Sequence, residues 1–115
     1  SVNDTYGHQT GDEVLRAVAG VLQSVCRSAD IPVRYGGEEL AVFMQARSVQ
    51  ELLKFGERVR RRVAALRFEG PADPFGVTIS GGVAMHGGDS VRRLIGQADR
   101  ALYRATETGR NRVLT

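Results

Sequence analysis

Glu38 and Glu39 stand side by side after Gly36 and Gly37 in the stretch RYGGEEL, residues 34–40. Adjacent carboxylates at a bend repel one another unless they share a cation. Their hard oxygens suit a divalent ion such as magnesium, with water and phosphate oxygens filling the remaining positions. The two glycines supply a turn with positive φ and let backbone approach a ligand closely. Taken alone, these four residues also fit a solvated acidic turn. The cations are selective too: Lys54 is the single lysine, and the other fifteen basic residues are arginine. Arginine grips phosphate and carboxylate through a planar fork, although codon bias would give the same usage.

These groups need elements to hold them. From Thr10 to about Arg27, Val14, Val18, Val21, Leu22 and Val25 recur at helical spacing, and Thr10 with Glu13 reads as a capping box. Asp30–Tyr35 and Leu40–Gln45 then read as a β-hairpin turning at the glycines, its second strand apolar on both faces. Ser48 and Glu51 open a second helix, to about Leu66, with Leu52, Val59 and Val63 inward. Residues 69–76 are a loop by their prolines and glycines. Val77, Ile79, Val83 and Met85 mark one face of a long strand or second hairpin. A third helix, Ser90 to about Thr106, carries Val91, Leu94, Ile95, Ala98, Ala101, Leu102 and Ala105 on one stripe, and 111–114 can add an edge strand. With one strand in front, the order is βαββαβ: an α+β, ferredoxin-like antiparallel sheet flanked by helices.

Composition narrows the classes. A chain of 115 residues, 42% hydrophobic and 25% charged, is one domain of ordinary globular composition. No apolar run approaches the roughly 20 residues that cross a bilayer, and no signal-peptide pattern opens the chain, so no membrane contact is expected. The single Cys26 makes no internal disulfide and suits a reducing, cytoplasmic setting. Basic runs interleaved with aromatics are missing, which argues against a nucleic-acid polymer as partner.

Five motifs in register, VNDTYGHQTGDEVL (2–15), RYGGEEL (34–40), VTISGGVA (77–84), ADRALYRA (98–105) and GRNRV (109–113), resemble the GGDEF family of diguanylate cyclases. The resemblance spans essentially the whole chain. It implies a fold related to nucleotidyl cyclases and polymerase palms, with 1–115 forming a GGDEF domain truncated at its N-terminus, the first, central strand absent. It also implies a reaction: two GTP joined into cyclic di-GMP with release of pyrophosphate, each protomer of a homodimer holding one GTP. Magnesium is the implied cofactor, and an upstream sensor or regulatory domain the implied input.

Roles follow from the same resemblance, position by position. Glu38 is the implied catalytic carboxylate, binding metal and helping to deprotonate the attacking 3′-hydroxyl; Glu39 is its metal-binding neighbour. Gly36 and Gly37 bring backbone to the phosphates. Asn3 and Asp12 match the guanine-recognising pair, the Asp accepting from N1–H and the exocyclic amine, the Asn donating to ring acceptors. A turn residue at Asn3 and a dipole-favoured helix-terminal acid at Asp12 are the alternatives. Arg110 matches an arginine that contacts the terminal phosphates; alone it would read as a surface charge. Arg27 and Asp30, at the family's spacing before the double glycine, resemble the inhibitory I-site that binds product cyclic di-GMP, with Arg58 as a further arginine.

Three departures accompany the resemblance. The family's first strand, with a metal-binding aspartate and an aromatic–lysine pair, has no counterpart before Ser1. Thr106 stands where the family usually carries a lysine beside the phosphates, and Leu40 replaces a phenylalanine. The Thr106 exchange motivates a second reading, a catalytically weakened domain that binds cyclic di-GMP or GTP to signal.

Overall fold

The apolar repeat of the opening segment forms helix α1, His8–Val25. The computed structural model describes residues 8–34, 39–70, 73–88 and 90–115, with side chains from Gly11 onward. Val14, Leu22 and Val25 are buried, and Val18 and Val21 half-buried, as the helical period predicts. The start differs. Helix α1 begins two residues before Thr10, so the expected Thr10–Glu13 box does not cap it. First-turn N–H groups have no intrahelical acceptor to lose, so a helix start slides past such a signal at little cost.

The hairpin forms as expected. Strand β1, Ile31–Arg34, pairs antiparallel with β2, Leu40–Phe43, in the register Ile31↔Phe43 to Arg34↔Leu40. The register leaves 35–39 as the connection, and its turn at 35–38 lies outside the described residues. Pro32 is tolerated because, among the described residues, the ribbon has two strands and each is an edge. Strand β2 is half-buried throughout rather than buried on both faces, since no third strand joins this ribbon among the described residues. Further on, the 69–76 loop is clasped by Phe68 and Phe75. Each N–H donates to the other's carbonyl, at 2.8 and 2.9 Å, and the rings pack with centroids 5.5 Å apart.

Helix α2, Val49–Ala64, buries Leu52, Val59 and Val63. Its cap is a variant of the expected box: Ser48 Oγ accepts from the Glu51 N–H at 3.3 Å, but Glu51 reaches back to the N–H of Arg47 rather than of Ser48. The long strand expected at 77–85 is reduced to β3, Gly81–Gly82, paired parallel with β4, Val113–Leu114. Strand β4 offers only two residues to the ladder, so the flanking stretches of 77–85 have no ladder partner among the described residues. A second hairpin does not form there; the pairing is parallel.

Helix α3, Val91–Glu107, starts at Ser90, whose Oγ accepts from the Arg93 N–H at 3.2 Å. Ala101 and Ala105 are fully buried, Leu94, Ile95 and Ala98 half-buried and Val91 56% exposed, so the cover over the apolar stripe grows toward its C-terminal end. The paired glycines of β3 explain this packing. Successive strand residues face opposite ways. A Cβ at Gly82 would overlap the Ala98 carbonyl oxygen and the Leu102 nitrogen of α3, whereas Gly81 lies against Val113, which also touches Gly56 of α2. Gly82 therefore lets the α3 backbone lie directly on the strand.

Contacts divide the chain into two units, Ser1–Gln45 with Ala65–Val77 and Ala46–Ala64 with Thr78–Thr115. The first holds α1, the hairpin and the Phe68–Phe75 clasp; the second holds α2, α3 and the β3–β4 pair. The fold class is α+β.

Candidate active site

Asn3, Gly36, Gly37 and Glu38 lie outside the described residues. Arg34 and Leu40, the last paired residues of the hairpin, are the two posts from which the 35–39 connection springs. Both line a cavity of about 460 Å³ whose other wall is α1, through Asp12, Leu15, Arg16 and Ala19. That volume lies in the range of small-molecule sites. Asp12 is exposed, and α1 has no acid in its first turn. Because α1 starts at His8, the dipole account of Asp12 loses its ground: the dipole's effect fades within the first turn.

The cavity mixes one carboxylate with two guanidinium groups and apolar walls of Leu15, Ala19, Leu22, Val33 and Leu40. A flat heterocycle with an amide edge, carrying phosphates, is the kind of ligand such walls and charges suit. Arg16 and Arg34 were not singled out by sequence. Arg34 could have been, since it abuts the glycine turn; Arg16 becomes legible only as one turn beyond Asp12 on the same helix. Glu39 is exposed immediately before β2. Among the described residues no three His, Cys, Asp or Glu side chains converge to hold a metal ion. Glu38 and Glu39 are the donors whose chemistry suits magnesium, with water and substrate phosphate making up the rest.

In the first unit the structure brings Arg27 and Asp30 together. Asp30 is nearly buried, and its Oδ2 accepts from the Arg27 N–H at 2.8 Å, with Arg27 Nε 3.9 Å away. The Asp30 N–H in turn donates to the Arg27 carbonyl at 3.0 Å. The carboxylate thus closes the turn between α1 and β1, a duty invisible in the R-x-x-D spacing. Burial, then the negative charge of Asp30, pushes the Cys26 thiol above its ordinary value, which agrees with an inert thiol.

Arg58 and Arg110 lie in the second unit, both exposed. Arg110 follows α3 in a Schellman-type turn: its N–H donates to the Ala105 carbonyl at 2.9 Å, and Gly109 takes φ 129°. Arg110 itself has φ 61°. Thr106 is half-buried, its Oγ1 donating to the Leu102 carbonyl at 3.1 Å, so this position offers a back-bonded hydroxyl and no cation.

The family model described as "Diguanylate cyclase, GGDEF domain" matches residues 1–112. The chain belongs to the GGDEF family. Among its relatives, diguanylate cyclase A of Treponema denticola is 40% identical over 115 residues, covering 98% of this chain and 31% of that protein. Diguanylate cyclase VdcA of Vibrio cholerae is 42% identical over 118 residues, covering 99% of this chain and 35% of that protein. The chain thus spans about a third of the length of these two relatives. In three dimensions it is similar to the GGDEF domain of DgcB from Caulobacter crescentus, solved with c-di-GMP, at a TM-score of 0.89. Identity there is 35%, over 97% of this chain and 68% of the other. A diguanylate cyclase of Pseudomonas aeruginosa, SiaD, solved with its activator SiaC, gives a TM-score of 0.88 at 37% identity, over 98% of this chain and 44% of the other. No helix among the described residues of this GGDEF chain is long and apolar enough to cross a membrane.

Proposed function

We propose that this chain is a diguanylate cyclase domain that condenses two GTP into cyclic di-GMP with release of two pyrophosphates, on a palm-like sheet, each protomer of a homodimer presenting one GTP to the other. The observation that carries this is the cavity at the root of the glycine–glutamate connection, walled by Asp12 on one side and by Arg34 and Leu40 on the other. Asp12 reads the guanine edge together with Asn3, Glu38 holds the attacking hydroxyl's proton, and Arg110 contacts the terminal phosphates. Bound at Glu38 and Glu39, magnesium would offset phosphate charge. The full-length protein, given GTP and magnesium, is expected to form cyclic di-GMP, and Glu38→Gln to lower the rate by about 100-fold or more, as loss of a proton-transfer group does. Intact GTP after prolonged incubation with the unaltered protein overturns the proposal.

Thr106 favours a second reading, since its hydroxyl is committed to Leu102 and the usual cation is missing. On that reading the domain binds cyclic di-GMP at Arg27, Asp30 and Arg58 without turnover. On the first reading the same three residues form the I-site and restrain the enzyme. Cyclic di-GMP affinity that falls on Arg27→Ala supports this site in both cases, and turnover decides between them.

A further inference from the structure

We propose that Arg60 is a positioning residue for Arg110, acting through Asn111; this rests on the reading of Arg110 as a phosphate contact. Arg110 and Asn111 have φ of 61° and 48°, two successive residues with side chains in the left-handed region. Residues other than glycine enter that region at a cost, and stay where surrounding contacts hold them. Three contacts do so. The Arg110 N–H donates to the Ala105 carbonyl at 2.9 Å, and Arg112 Nε donates to the Arg110 carbonyl at 3.0 Å. Both are local to the end of α3. The third is not: Asn111 Oδ1 accepts from Nη1 of Arg60 at 2.8 Å, across 51 positions of sequence.

Arg60 is itself fixed on α2. Its Nε donates to Glu57 Oε2 at 2.8 Å and its Nη2 to Oε1, and its side chain is 19% exposed. A bidentate pair leaves the guanidinium little freedom, and the nitrogen outside that pair, Nη1, is the one that donates to Asn111. Glu57 also accepts from Arg61 Nε at 3.2 Å, so the carboxylate ties both arginines to α2. The Arg110 guanidinium, by contrast, is exposed and makes no hydrogen bond or ion pair among the described residues. A cation presented from a held, left-handed turn is ready for an anionic ligand, and loosening the turn loosens its aim.

The test uses the full-length protein with magnesium and GTP. Arg60→Met removes the donor and keeps the apolar stem. It is expected to raise the KM for GTP about tenfold with kcat within about twofold, the pattern of a lost ground-state contact. Asn111→Ala, which leaves the Glu57–Arg60 pair intact, should do the same, whereas Asn111→Asp, which keeps the acceptor oxygen, should retain the original KM. In fluorescence titrations without turnover, Arg60→Met should weaken GTP but not guanosine, and should add nothing to Arg110→Ala. Equal weakening of guanosine, full additivity with Arg110→Ala, or an unchanged KM in Asn111→Ala overturns the positioning role. The last of these holds even if Arg60→Met fails to fold. If Arg110→Ala leaves GTP binding untouched, it is the phosphate reading of Arg110 that fails.

Discussion

Asp30 illustrates what residue type and spacing reveal and what they hide. As one half of R-x-x-D it reads as a ligand-binding acid, yet its side chain is only 3% exposed and caps the turn that follows α1. Removing it leaves the Arg27 N–H without that acceptor, so Asp30→Ala should lower stability by about 1–3 kcal/mol, measured as a fall in the urea midpoint at constant slope. A stability loss near zero would mean that the turn does not need this carboxylate. The glutamates were legible because acids beside glycines are chemically conspicuous. The Arg60–Asn111 bond was not, because its partners are 51 positions apart and neither type is unusual where it stands.

At the scale of elements, the helices were legible nearly to the residue, since a stripe of apolar side chains repeats along each. The 77–85 strand was not: a strand is defined by its partner, and an apolar alternation does not say how long that partner is. Gly81–Gly82 was read as part of a motif, while its structural meaning lies in the distance between β3 and α3. Gly82→Ala places a methyl group against the α3 backbone, and overpacking of this kind costs about 1–3 kcal/mol or more. Thermal unfolding should show a clear drop in Tm; an unchanged Tm would refute the close approach. Helix α2 carries a pH-dependent pair. The hydrogen bond from Arg60, with its charge and that of Arg61, holds the Glu57 carboxyl below its ordinary 4.5. A depressed carboxyl contributes stability above its unfolded value and loses it as pH falls through the folded one. With the Glu57 side chain 37% exposed, solvent screening keeps this contribution small. The urea midpoint of Glu57→Gln should lie below that of the unaltered protein at pH 7, and the gap should narrow as pH falls below 4.5.

For the whole molecule, the sequence disclosed the fold class and the family but not the partition into two units. Ala46 and Ala65 sit in ordinary surroundings, and nothing in their chemistry announces that the chain leaves one unit and returns to it. The proposed reaction adds a requirement beyond a single copy, because each GTP is attacked by the other. Specific activity should therefore fall on dilution, approaching proportionality to protein concentration once dimers dissociate; constant specific activity over a hundredfold dilution of monomeric protein would contradict the pairing. The interleaving of the units also bears on biosynthesis. Helix α2 is finished at Ala64, but its strand partner β4 begins only at Val113. At about 5–20 residues per second of ribosomal elongation, the face of α2 around Gly56 waits for some seconds before Val113, which lies against it, exists. During that interval the nascent protein presents a greasy helix to the cell, a natural foothold for a chaperone.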